Sequence, residues 1–226
     1  MLGTDRPGPP GSSRLVRGPW RQTLIIAALF VVAAILLLAL GDYPIARLAA
    51  EVRNLPPVRF IWHLADYLAG GLGPVVFGLA MIGFGYRHYR RLIPALLVGA
   101  GLQTGITHAI KYLSGRPRPY ECGNFTVFHG PGSDFASMPS GHTAIAALLA
   151  VIAAAYFPAW RWLAYLLVAI VAVGRVLQHC HFPSDVLVGA AIGYLAAKIV
   201  LSWWPPPGLA ARRSEQAEKA EAVEAS

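Results

Sequence analysis

The chain has 226 residues, 56% of them hydrophobic and only 13% charged. Soluble domains carry about a quarter charged residues, so this composition excludes an ordinary water-soluble globule and points to one membrane domain. Lys and Arg number 19 against 11 Asp and Glu, a net charge of +8, but the basic residues fall in short clusters between apolar runs, which excludes a nucleic-acid-binding stripe.

A Pro-, Gly- and Arg-rich leader occupies 1–21. The first apolar run, 24–40, lacks a small-residue cleavage site and reads as a retained transmembrane helix rather than a removed signal peptide. Between it and the next run, Ile45, Leu48, Ala49 and Val52 share one helical face, with Arg47, Glu51 and Arg53 on the other. That pattern fits a helix lying on the membrane or one packed on the bundle. Further runs cover 70–86, 92–113, 141–157, 160–178 and 184–204, each close to the about 20 residues that cross a bilayer. The expected fold is all-α: a polytopic membrane protein with a six-transmembrane-helix bundle over 22–204. The tail, 205–226, begins with three prolines and reads as a disordered cytoplasmic extension.

Six spans put both termini on one side. Arg6, Arg14, Arg17 and Arg21, the Arg87/Arg90/Arg91 turn, Arg161, and Arg212 with Arg213 all fall on that side, which the positive-inside rule makes cytoplasmic. The loops at 41–69, 114–140 and 179–183 then face outward, toward the periplasm in a bacterial inner membrane. Lys111, Arg116 and Arg118 stand against the rule at an outer end, and ionisable residues there call for a function.

Three segments carry the chemistry on that outer side. The third run ends in Lys111, followed by Arg116-Pro117-Arg118-Pro119; the fourth begins at Pro139-Ser140-Gly141-His142; Arg175 ends the fifth, ahead of His181 and Asp185. Bundle topology brings these helix ends together. Lysine offers a compact charge and arginine a planar fork for two oxygens, so fixed cations beside two histidines and an aspartate describe a site for a phosphate-like dianion. Ser140 is placed as an N-cap and Gly141 lets backbone approach a ligand, while the helix start adds free amides and a favourable dipole. Such a site stabilises phosphoryl transfer with no metal and no other cofactor. Glu121 and Asp134 lack a third carboxylate partner, and the two cysteines, Cys122 and Cys180, are too few for a four-cysteine zinc site, leaving one bridge open.

The pattern resembles the type 2 phosphatidic acid phosphatase superfamily, which also includes vanadium haloperoxidases and glucose-6-phosphatase. Its signature is Lys, six residues, Arg-Pro; then Pro-Ser-Gly-His; then Ser-Arg, five residues, His, three residues, Asp. Lys111 with Arg118-Pro119, Pro139 to His142, and Arg175, His181 and Asp185 match in order, while Gly174 replaces the leading serine of the third motif. The resemblance implies a membrane lipid phosphatase of the cell envelope. His181 would attack phosphorus to form a phosphohistidine, Asp185 would fix its tautomer, and His142 would protonate the leaving oxygen and then activate water. Lys111, Arg118, Arg175, Ser140 and Gly141 would hold the phosphoryl oxygens. Candidate substrates are undecaprenyl pyrophosphate, phosphatidylglycerol phosphate, phosphatidic acid and lipid A 1-phosphate, so the partners are a phosphorylated lipid and the bilayer.

Two other classes stay open: a lipid-to-lipid phosphotransferase, and a non-catalytic anion transporter or phosphate-lipid binder. A transporter calls for charges spread through the membrane depth, whereas these cluster at one end. Outside the motifs, Arg116 divides evenly between the phosphate and the headgroup. His108 shares a helical face with Lys111, and His179 reads as a supporting or surface histidine. His63 and Asp66 belong to a loop or helix end, with a place at the headgroup entrance as the alternative.

Overall fold

Long apolar runs without water-facing polar stripes can satisfy their backbone inside a bilayer only as helices. The computed structural model describes residues 17–122 and 128–206, and these form helices and loops with no strand among the described residues. Most of the leader and of the tail expected at the two ends lies outside those residues. The helices are α1 (Arg17–Leu36), α2 (Asp42–Val52), α3 (Pro56–Ala69), α4 (Gly73–Phe84), α5 (Tyr89–Ser114), α6 (Gly141–Tyr156), α7 (Arg161–Leu177) and α8 (Pro183–Trp203). The first helix starts inside the stretch assigned to the leader.

A π-helical turn, Leu37–Gly41, joins α1 to α2. Pro44 has no N–H to donate to Leu40, so the ladder must widen just there. The joined rod, Trp20–Val52, is long and apolar enough to cross a membrane, as are Tyr89–Ser114, Pro158–Leu177 and Pro183–Trp203. The fourth apolar run forms α6, which is apolar but shorter, at 16 residues. The second run is only half of an element: α3 and α4 together pass as a span bent by 58°. Four helices therefore qualify, or five with the bent pair, and the chain is an integral membrane protein.

Burial is arranged for a lipid surroundings. Leu24, Leu29, Val32, Phe84 and Leu97 face outward, while the interior is rich in alanine. The same inversion decides α2: Ala46, Ala49 and Asp42 turn inward and Leu48 stays 59% exposed. Of the apolar face expected there, only Ala49 is buried, because small residues let helices approach where no hydrophobic drive favours large ones.

Helices α6 and α8 approach each other closely through two glycines. A Cβ on Gly193 would strike the Ala144 carbonyl and come within 2.9 Å of the Ala147 Cβ, and one on Gly189 would strike the Ser140 carbonyl. This Gly-xxx-Gly face seats the start of α6 against the start of α8. Leu92 and Leu96 of α5, Leu148 and Ile152 of α6 and Val200 of α8 form the apolar core at the opposite end. Replacing Gly193 by valine should therefore wedge α6 from α8 at a cost of about 1–3 kcal/mol or more. Unfolding by SDS titration in detergent micelles measures it, and a midpoint equal to wild type would rule out the close contact.

Candidate active site

Six chain segments reach one end of the bundle and line an open cavity of about 440 Å³. The turn between α3 and α4 contributes Ala69, Gly70 and Gly71; α5 contributes Gln103, Thr104, Thr107, His108 and Lys111 from one face of its last turns. Arg118 follows from the loop, Gly141, His142 and Ile145 from the start of α6, Arg175 from the end of α7, and His181 from the α7–α8 connection. Six of the eight residues singled out from sequence line this cavity: Lys111, Arg118, Gly141, His142, Arg175 and His181. Ser140 and Asp185 stand behind it, fully buried.

Each cation is held by a protein acceptor. Lys111 Nζ donates to the Ala136 carbonyl. Arg118 Nη1 donates to the Tyr120 hydroxyl at 3.2 Å, and its backbone N–H donates to Glu121 Oε2 at 2.7 Å. Arg175 Nη1 pairs with Asp66 Oδ1, whose other oxygen accepts from Gln178 Nε2 at 2.7 Å. Arg175 Nε is buried with no partner among the described residues.

Ser140 occupies the N-cap of α6, but its side chain makes no capping bond. Its hydroxyl accepts from Thr143 Oγ1 at 3.1 Å, and its N–H donates to the Asp185 carbonyl at 3.0 Å. The serine thus ties α6 to α8. On the cavity side, Gly70 comes so close to His142 that an added Cβ would lie 3.2 Å from Nε2.

His181 sits in the connection between α7 and α8, where burial pushes its imidazole below the ordinary histidine pKa. Its Nδ1 lies 3.8 Å from Asp185 Oδ2 and has no hydrogen-bond partner among the described residues. That distance carries charge attraction but no hydrogen bond. Asp185 spends its lone pairs elsewhere: Oδ2 accepts from Ser137 Oγ at 2.6 Å and from the Phe182 N–H at 2.9 Å, and Oδ1 accepts from Arg116 Nη1 at 2.5 Å.

Arg116 touches the cavity only through Asp185. It is fully buried, away from the cavity, stacked on Phe182 with 4.1 Å from its guanidinium carbon to the ring centroid. Its Nη2 donates to Asp42 Oδ2 at 2.7 Å and Nη1 also donates to Ser184 Oγ at 2.7 Å. Asp42 further accepts from the Ser184 N–H at 2.9 Å and from its hydroxyl. Asp42 was not singled out from sequence, although a carboxylate at the end of an apolar run is a signal that a buried partner exists. Asp66 stands at the end of α3, where it holds Arg175. His108 does line the cavity, whereas His63 stacks on Trp62 and lies outside it. Cys122 and Cys180 are free thiols.

A family model described as the PAP2 superfamily matches residues 93–208. A lipid A 1-phosphatase from Porphyromonas gingivalis is 29% identical over 163 residues, covering 67% of this chain and 34% of the relative. A lipid A 1-phosphatase from Rhizobium etli is 35% identical over 94 residues, 39% of this chain and 40% of that one. The chain thus spans between a third and two fifths of the length of these curated relatives. Among solved structures, a transmembrane PAP2-type phosphatidylglycerolphosphate phosphatase from Bacillus subtilis aligns with a TM-score of 0.60 at 21% identity, over 80% of this chain and 94% of that one. LpxE from Aquifex aeolicus aligns at 0.55 and 24% identity, over 71% and 94%. These two share its fold. The matched segment runs from the second turn of α5 past the end of α8 and carries all three cavity cations and all three cavity histidines, His108, His142 and His181, and on that match the chain belongs to the PAP2 superfamily.

Proposed function

We propose that the chain is a membrane phosphatase that hydrolyses a lipid phosphomonoester or diphosphate through a phosphohistidine. The observation that carries this reading is the single cavity in which Lys111, Arg118 and Arg175 face His142 and His181. The cations and the first turn of α6 at Gly141 supply the charge that a phosphoryl group gathers in its transition state. His181 Nε2 bonds to phosphorus as the P–O bond to the lipid breaks, and His142 gives the departing oxygen its proton. Water then attacks the phosphohistidine, His142 takes the proton back, and phosphate leaves. Asp185 steadies the imidazolium through charge across 3.8 Å, held in place by Ser137, Arg116 and the Phe182 N–H; Ser140 supports the site from behind.

The curated relatives are named for lipid A 1-phosphate and a structural neighbour for phosphatidylglycerol phosphate, so these two are the first substrates to assay, with phosphatidic acid and undecaprenyl pyrophosphate beside them. The bent α3–α4 pair and the shorter α6 complete six crossings in this reading. Both termini and the Arg87–Arg91 turn then lie in the cytoplasm, and the cavity opens to the periplasm. The domain limits of 22–204 follow from the same topology. Lipid-to-lipid phosphotransfer is the second reading, favoured only if an acceptor lipid outcompetes water.

His181→Ala should abolish phosphate release while leaving a folded protein, and release at more than a few per cent of wild type would sink the nucleophile assignment. His142→Ala should cost about 100-fold or more on a monoester, within the usual range for a general acid, and clearly less on a diphosphate, whose leaving group is itself a phosphate. Equal losses on both would remove the leaving-group role.

The pH profile has a sign. Burial disfavours the protonated imidazole of His181, so the neutral nucleophile persists to lower pH than an exposed histidine allows. On a diphosphate substrate, kcat/KM should therefore fall only below about pH 6.5, the ordinary histidine midpoint. An acidic limb centred above that value contradicts a desolvated nucleophile.

Sidedness is tested with one cysteine at the exposed Asp134 in a variant whose two native cysteines are replaced. An impermeant maleimide should label it in intact cells. Labelling only after lysis would put the cavity in the cytoplasm.

A further inference from the structure

The departure from the family's third motif, glycine for serine at position 174, has a physical cause one helix away. A Cβ on Gly174 would collide with the Ala65 Cβ, and it would lie 3.3 Å from the Ile61 carbonyl and 3.4 Å from the Trp62 Cα. Helix α3 therefore rests directly on the backbone of α7 at this point, closer than any side chain permits. The next residue on each helix is charged. Asp66 follows Ala65, Arg175 follows Gly174, and the two form an ion pair across the contact, with Gln178 completing the carboxylate.

We propose that Asp66 is a positioning residue for the cavity, orienting Arg175 for the phosphoryl group, and that Gly174 is the residue that lets α3 deliver it. The proposal rests on the phosphatase reading for its ligand. Asp66 engages Nη1, the corner of the guanidinium turned toward its own side-chain stem. The opposite edge, Nε with Nη2, is the pair of parallel donors that grips two oxygens at once. Nε on that edge is buried and has no partner among the described residues, a state that costs free energy unless a ligand fills it. A carboxylate on one corner thus fixes the plane of the fork and leaves the two-donor edge for the ligand. Arg175 follows a glycine where the family pattern places serine, and it takes its acid from α3, which lies outside the matched segment.

Asp66→Asn keeps the shape of a side chain that is 38% exposed but leaves the buried Arg175 without its counter-charge, so the test must read ligand affinity separately from folding. Two probes separate alignment from bulk attraction: inorganic phosphate, tetrahedral, and orthovanadate, whose bipyramidal adduct resembles the transferring phosphoryl group. Both are titrated by calorimetry into purified protein in detergent, so no turnover is required. Asp66→Asn should weaken vanadate about tenfold, the size expected for losing one charge-assisted hydrogen bond that sets the fork, and phosphate by less than about threefold, since removing a negative charge also strengthens general attraction of an anion. A change in folded fraction alters the number of sites and leaves both dissociation constants unchanged.

In an Arg175→Lys background, where no fork remains, Asp66→Asn should change vanadate affinity by less than about twofold. Gly174→Ser, which restores the family residue, should push α3 away and weaken vanadate as Asp66→Asn does. Wild-type vanadate affinity in Asp66→Asn overturns the proposal, as does an undiminished loss in the Arg175→Lys background. Wild-type affinity in Gly174→Ser overturns the part assigned to glycine. Phosphate release from the four candidate lipids is measured separately: none from wild-type protein defeats the phosphatase reading, while the binding results still decide the role of Asp66.

Discussion

Arg116 lies between two carboxylates, Asp42 and Asp185, and none of the three reaches water. Each charge alone would cost several kcal/mol to bury, and the trio is tolerable because Nη1 and Nη2 of Arg116 each meet a carboxylate, even though its Nε has no partner among the described residues. That condition fixes distant parts of the chain at once. Asp42 must stand at the start of α2, Asp185 in the first turn of α8, and the loop after α5 must pass between them. Ser137 and Ser184 donate the remaining bonds. The cavity is built on this knot: Asp185 sets the start of α8 and receives the Ser140 N–H through its carbonyl, so the first turns of α6 and α8 share one anchor.

The rest of the bundle follows from having lipid outside. Large apolar side chains have nothing to gain by facing inward, so close packing falls to glycine and alanine, and the helices touch through backbone. Where α6 meets α8, this closeness seats Gly141 and His142 beside the α8 start that carries Asp185. The apolar core lies at the far end and holds the same helices together from below. A polar knot at one end and an apolar core at the other leave the cavity between rigid elements, which is what a site that must hold cations apart requires.

Much of the cavity was legible in the sequence because its residues recur at spacings tied to helix ends. Lys111 closes α5, Ser140 and Gly141 open α6, Arg175 closes α7 and Asp185 opens α8; topology alone then brings them together. The residues that escaped are those defined by a partner far along the chain. Asp42 meets Arg116 across 74 positions and Asp66 meets Arg175 across 109, and nothing local names the partner of either acid. The two Arg-Pro pairs, Arg116-Pro117 and Arg118-Pro119, are the same dipeptide; only the fold buries the first and leaves the second in the cavity. The apolar run expected at 70–86 forms α4, and what the run did not show is the amphipathic α3 joined to it at a 58° bend. Gly70 and Gly71 stand at the bend, on the cavity wall, between an amphipathic helix and an apolar one.

The arrangement of acceptors around the cations explains how three positive groups can converge before any ligand arrives. Bare cations brought together in a membrane would repel one another and turn toward water or headgroups. Here Lys111 leans on the Ala136 carbonyl, Arg175 on Asp66, and Arg118 is fixed at both ends, by Tyr120 and by Glu121. Each contact uses one donor and leaves others free: an ammonium has three and a guanidinium five. The acceptors therefore reduce the repulsion and set the direction of the remaining donors without filling them. In the phosphatase reading, a phosphoryl group entering this cavity meets dipoles already oriented, so little reorganisation is left for the moment of transfer, which is the source of electrostatic catalysis. In that reading the acid on α3 and the carbonyl of the α5–α6 loop belong to the site together with the cations they hold.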